Sequence, residues 1–338
     1  MNEQFNFSSY PYPFPDGNIF FKKEEEKKNI RSLSFYTGCA LMLFVLLQYV
    51  IVLAMQLTGI YSHYTSNPTF ATSLDILISV IDVLIPFLIF GSIMKKKTGT
   101  AEIVPLGKSR SKALFALSIP AGLGLCMSAN IVTSLFVIIL NAFGIVLKSP
   151  DIAQPQGSSG FLLSVLRVSI VAGLTEEIAM RGCILQPLRK HGDIFAIVAS
   201  ACTFGLMHGN LVQAPFALIV GIGLGYIAVK TESLWSVVII HALNNLISTV
   251  ISYLNDSGAV NEAVVNLIYA LIVYGLIFIG SICFVIFMFK AKRLCPPCRY
   301  DGYLSPFEKA KAFIMSPTMI FAIIMLFIGT SQFIEFKW

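Results

Sequence analysis

The chain has 338 residues, 56% of them hydrophobic and only 12% charged, and its mean hydropathy is +0.78. Soluble domains carry roughly 25% charged residues, so composition excludes an ordinary soluble globule and points to a polytopic membrane protein. The net charge of +6 is read against anionic lipid headgroups and topology, not against nucleic acid.

Residues 1–32 open with "YPYPFPDGN", too rich in proline for a helix, and lack an apolar core. A cytosolic tail without a signal peptide is expected there. Nine apolar runs follow, at 33–57, 73–94, 114–146, 161–188, 194–208, 213–229, 234–254, 263–289 and 314–333. Each is read as a helix crossing about 30 Å of hydrocarbon. The fifth and sixth are short, and the third is long enough to be tilted or broken near Pro120 or Gly122. The fold class expected is all-α, a multi-span membrane bundle. It divides into the tail, N-terminal helices over 33–158, a core over 159–254, and C-terminal helices over 255–338 with a cytoplasmic loop at 290–313.

Lysine and arginine orient this arrangement. With the N-terminus inside, twenty of the 24 fall in inner segments, around 22–31, 95–112, 189–190, 230 and 290–311. Only Lys148 and Lys337 fall outside, while Arg167 and Arg181 lie within a span. That asymmetry predicts N-in and C-out. Cys39, Cys126, Cys183, Cys202 and Cys283 lie in spans as small apolar residues. Cys295 and Cys298, in "CPPC", lie in an inner loop with no second ligand pair nearby, so neither a zinc knuckle nor a disulfide framework is expected.

A charge at mid-membrane costs about 2.5–3.5 kcal/mol, so each one needs a partner or a task. The second span holds Asp75 and Asp82 on one face, one of them expected to pair with Arg167. The fourth contains "TEEIAMRG", the fifth ends in "FGLMHGN" and the seventh contains "HALNN". Glu177 and Arg181, four apart, pair along one helix face, leaving Glu176 about 100° round the helix without a local partner. His241 and Asn245, also four apart, can face one cavity. Interhelical hydrogen bonding alone, worth about 0.6 kcal/mol per contact, does not require such a set. Water-activated hydrolysis does. A carboxylate in an apolar site can take a proton from water, an imidazole can polarise that water, and a carboxamide with a second imidazole can donate to an oxyanion. No serine or cysteine stands in these segments as an obvious nucleophile.

"EEIAMR", "FGLMH" and "HALNN", in that order on successive apolar segments, resemble the EExxxR, FxxxH and HxxxN motifs of the CAAX protease and bacteriocin-processing (CPBP, Abi) family. This family includes the type II CAAX prenyl endopeptidases. The resemblance covers roughly residues 160 to 254. It implies a glutamate-type intramembrane endopeptidase. Glu176 would be the base, His208 its partner, and His241 with Asn245 the oxyanion site. Glu177 and Arg181 would be a supporting ion pair, and Phe204 a packing residue. No cofactor is implied. The substrate would be a membrane-associated protein or peptide, prenylated or bacteriocin-related, and the location a bacterial plasma membrane.

Two other readings stay open. Glu176, His208 and His241 are two imidazoles and a carboxylate, a set able to hold zinc in a metalloprotease. Alternatively, Asp75, Asp82 and Arg167 could line the pathway of a proton-coupled transporter, or the chain could be a non-catalytic immunity scaffold. Convergence also has a geometric cost. Along straight helices His241 lies about 10 Å and Glu176 about 18 Å from the inner end, with His208 towards the far end of its span. Tilt, or a fifth helix that starts late or dips, is needed to bring them into a cavity in the inner half of the membrane.

Overall fold

The computed structural model describes residues 17–149, 155–295 and 302–337. Its helices, in chain order, are α1 Gly17–Leu57, α2 Ile60–Ser66, α3 Pro68–Thr98, α4 Lys112–Ala142, α5 Gly157–His191 and α6 Asp193–Met207. They continue with α7 Ala214–Thr231, α8 Leu234–Ser257, α9 Glu262–Leu294, α10 Pro306–Ile314 and α11 Pro317–Ser331. The fold is all-α, as expected, apart from a two-stranded ribbon. In it β1 (Ile145–Leu147) pairs antiparallel with β2 (Ile334–Phe336). The hydropathy runs read Ile145 and Val146 as the end of a helix, while Ile334–Phe336 lies just beyond the last run.

Seven helices are long and apolar enough to cross a membrane, and the bent pair α10–α11 makes up to eight. The nine runs are thus all helical, but two differ from simple spans. The fifth is α6, only 15 residues long, about 22 Å of rise. The ninth is α11, also 15 residues, which Pro317 starts; it meets at 73° the helix α10, which forms at the end of the segment read as the loop 290–313. Conversely, α4 runs unbroken through Pro120. The tail also differs. Residues 1–16 lie outside the described part, but from Gly17 the charged run "FFKKEEEKKN" is helical, as its strong helix formers favour.

Large side chains such as Leu271, Phe278 and Phe327, between 66% and 70% exposed, point away from the bundle. That is the surface of a protein solvated by lipid. One end of the bundle gathers the segments rich in lysine and arginine. Glu26 accepts from the backbone amides of Tyr303 and Leu304 at 2.5 and 2.9 Å and pairs with Lys309 at 3.3 Å. Arg110 pairs with Glu232, and Arg189 with Asp193. The opposite end carries the ribbon, where Lys148 pairs with Glu335. Cys295 donates to the Lys230 carbonyl at 3.2 Å, while Cys298 lies outside the described residues.

Helices α4 and α9 cross at small residues, which lets their backbones approach closely. A Cβ on Gly280 would stand 2.6 Å from the Pro120 carbonyl oxygen and 2.7 Å from the Gly124 Cα. Gly280→Leu is expected to lower stability by about 1–3 kcal/mol, the cost of overpacking. Thermal unfolding in detergent measures it, and an unchanged midpoint would contradict this crossing.

Candidate active site

Helices α5 and α6 form an antiparallel hairpin turned at Gly192, whose φ of 110° suits glycine. Glu176 and His208 are equidistant in sequence from that turn, each about 24 Å of helical rise away. The two helices are tied by Ser200, which donates to the Met180 carbonyl at 2.8 Å. A short α6 starting directly after the turn therefore brings His208 back to the cavity that Glu176 lines.

His241 reaches the same depth by another route. The connection between α3 and α4 folds inward rather than covering the end of the bundle. A Cβ on Gly182 would lie 2.6 Å from the Ile103 carbonyl oxygen. The Leu234 amide, at the start of α8, donates to the Pro105 carbonyl at 2.8 Å. Ser233 donates to Gly107, and Trp235 to Leu106. Helix α8 thus begins about 13 Å inside the His191 end of α5, and His241 lies about 10 Å further on. The inward loop resolves the mismatch in depth, and no late or dipping fifth helix is required.

Within α5 the backbone is π-helical over Val165–Val171 and again over Ile178–Ile184, on either side of the Glu176–Glu177 pair. Such wide turns recur at functional sites because they re-aim side chains without ending the helix. Glu177 points into the protein and is fully buried. Its Oε1 accepts from Arg181 at 3.0 Å and from His241 Nδ1 at 2.8 Å. Arg181, 1% exposed, places its guanidinium 4.7 Å from the centre of the Phe204 ring and reaches the Gly221 carbonyl at 3.5 Å. The Phe204 ring in turn meets His208 edge-on at 4.7 Å and His241 at 6.1 Å. Residues of the three sequence segments therefore form one contact cluster across α5, α6 and α8.

Glu176, His208, His241 and Asn245 all line a single cavity of about 590 Å³. Glu176, 19% exposed, has no hydrogen-bonding protein partner among the described residues, and its Oε2 lies 3.8 Å from His241 Nε2. His208 donates through Nδ1 to the Phe204 carbonyl at 2.8 Å, so the Nε2 of the neutral ring is left as an acceptor. His241 donates through Nδ1 to Glu177, and its Nε2 accepts when the ring is neutral and donates when it is cationic. Asn245 commits one amide hydrogen to the Val168 carbonyl at 2.9 Å and accepts from Asn244 at 3.2 Å, keeping one hydrogen free.

The cavity also draws on α1, α3 and α4, which the motifs did not single out. Gln48, Asn130 and Gln213 line it, and their visible signal was a polar residue within or beside an apolar run. Asp82 lines it too and accepts from Gln48 at 3.3 Å. Asp75 instead pairs with Arg167 at 3.3 Å and accepts from the Tyr64 hydroxyl at 2.8 Å. Among the described residues, no three His, Cys, Asp or Glu side chains are grouped to hold a metal ion.

Breaking a buried ion pair by removing one partner leaves the other charge stranded, at a cost of about 3–5 kcal/mol. Arg181→Ala is therefore expected to reduce folded yield and unfolding temperature, and Arg181→Lys to recover only part, since an ammonium cannot span Glu177 and the Phe204 face as the fork does. An Arg181→Ala protein as stable as wild type would contradict this assignment.

Comparison with known proteins agrees with the motif reading. No curated protein and no solved structure matches the chain. One family model does, over residues 158–247, and its description is Type II CAAX prenyl endopeptidase Rce1-like. The segment that contributes Glu176, His208, His241 and Asn245 to the cavity is thus similar to that family, in a chain whose long apolar helices are those of an integral membrane protein.

Proposed function

We propose that this protein is a glutamate-type intramembrane endopeptidase that hydrolyses a peptide bond of a membrane-associated substrate with water activated by Glu176 and His208. One observation carries the reading. Of two adjacent carboxylates, Glu177 is tied beneath the cavity to Arg181 and His241, while Glu176 faces the cavity without a protein hydrogen bond. A supporting charge and a working base are thereby separated on consecutive residues.

In the proposed reaction, Glu176 takes a proton from water and the resulting hydroxide attacks the scissile carbonyl. The free Asn245 amide hydrogen and a protonated His241 Nε2 donate to the oxyanion, where each donor is worth about 2.7–4 kcal/mol in a dry site. The proton held by Glu176 then passes to the leaving amine. His208, with Nδ1 committed to the Phe204 carbonyl, presents Nε2 as the second acceptor for the water. Glu177 orients His241, as a carboxylate orients the base of other hydrolytic sites. The polar wall and the apolar side chains Phe44, Val83, Met207 and Phe216 suit a peptide whose flanks differ in polarity, prenylated or not.

We further infer an N-in orientation, because the inner lysines and arginines among the described residues are those of the Glu26–Lys309 end. The anionic inner leaflet of a bacterial plasma membrane suits that charge.

The test uses the purified chain in proteoliposomes with a mixture of lipid-anchored fluorogenic peptides. Glu176→Gln and His208→Ala are expected to lower turnover by about 10²–10⁴-fold while unfolding temperatures stay within those of wild type. Cleavage by Glu176→Gln at the wild-type rate would falsify the assignment. In the same assay 1,10-phenanthroline is expected to leave the rate unchanged. Inhibition reversed by added zinc would instead favour a metal held by Glu176, His208 and His241.

A further inference from the structure

A second cavity, of about 430 Å³, lies between the first turns of α5 and the last turns of α8, at the lysine-poor end. Val168 and Ser248 line both this cavity and the one holding Glu176. The two cavities therefore adjoin along α5 and α8 and together outline a trough. From Ser248 it follows α8 outward past Ser252 to Asp256, residues four apart and hence on one face, with Phe161 and Tyr253 as an aromatic wall whose rings are 4.6 Å apart. Ser248 and Ser252 are exposed, although both lie within a membrane-length helix. Asp256 is the only charge lining the outer cavity among the described residues.

The other direction is closed. Of Glu177–Leu188, which lead towards the lysine-rich end, only Ile178 and Gln186 are not buried. The inward loop packs against Gly182 and the start of α8 beneath them.

Building on the hydrolase reading above, we propose that this trough binds an extended, hydrophilic, uncharged or cationic segment of the substrate, entering from the lysine-poor face. The exposed Ser248 and Ser252 hydroxyls and the Asp256 carboxylate offer hydrogen-bonding partners to such a segment. From His241 to Asp256 the helix rises about 22 Å, a length matched by six or seven residues of extended chain at about 3.4 Å each. The substrate class is then a membrane-associated peptide whose hydrophilic arm lies on the non-cytoplasmic side, presented to Glu176 from outside.

Ser248→Cys and Ser252→Cys test the trough in intact cells expressing the full chain, with a charged, membrane-impermeant methanethiosulfonate added outside and wild type as background. Leu271→Cys on α9 is the control, since Leu271 is 66% exposed and, like Ser248, nine residues inside the outer end of its helix, but faces lipid. Both serine positions are expected to react about tenfold faster than Leu271→Cys or more, because a thiolate and a charged reagent both need water. Equal or slower reaction overturns the trough. Labelled Ser252→Cys is then assayed on the lipid-anchored peptide mixture in proteoliposomes, where turnover is expected to fall at least about tenfold. Fast labelling with unchanged turnover overturns the peptide as occupant. Cleavage insensitive to Glu176→Gln would instead sink the hydrolase reading and leave the labelling result standing.

Discussion

The Glu177 carboxylate is the interaction on which the rest of the site depends. It is fully buried in a bundle surrounded by lipid, where an uncompensated charge is prohibitive. Its compensation comes from Arg181 on its own helix and from His241 on another. The Arg181 guanidinium then needs the Phe204 face on a third. Each partner is thus recruited to satisfy the one before it, and the chain of satisfaction sets the mutual placement of α5, α6 and α8. The groups that face the cavity, Glu176 and His208, are neighbours of this anchored cluster and owe their positions to it.

This division of labour explains why two acidic residues stand side by side in an apolar helix. A single carboxylate could be either buried and paired or free to work on water. The π-helical turns on either side of the pair widen the local pitch. One carboxylate turns into the protein and its neighbour turns into the cavity. Lipid on the outside of the bundle and a polar cavity within it also account for residues that look misplaced on hydropathy alone, such as Gln48, Asn130 and Ser248.

Much of the molecule was legible because hydrocarbon imposes strict rules on composition. Backbone polar groups must be satisfied within each segment, so long apolar runs can only be helices, and the runs at 33–57, 73–94 and 263–289 are helical as read. The pairing of Glu177 with Arg181 followed from spacing, and that of Asp75 with Arg167 from the cost of either charge alone. Where the reading failed, the physical signal was degenerate. "IVL" is apolar whether it ends a helix or pairs as a strand. "PFEKAKAFI" is charged enough to read as a loop, yet forms α10. The charged stretch after Gly17 is polar enough for a tail and helical enough for a helix.

Depth is where sequence and tertiary structure part. By itself the sequence determined that three polar groups sit in apolar helices, and even that Glu176 and His208 are equidistant from Gly192, since these depend only on residue identity and count. It could not determine where α8 begins relative to α5. That offset is set by a loop of ordinary polar composition, residues 99–111, which folds inward against Gly182 and Leu234. Its path is decided by long-range packing and backbone hydrogen bonds that leave no local pattern in the residues making them. The adjoining of the inner and outer cavities has the same origin, because a shared wall at Val168 and Ser248 exists only once two helices distant in sequence are laid side by side.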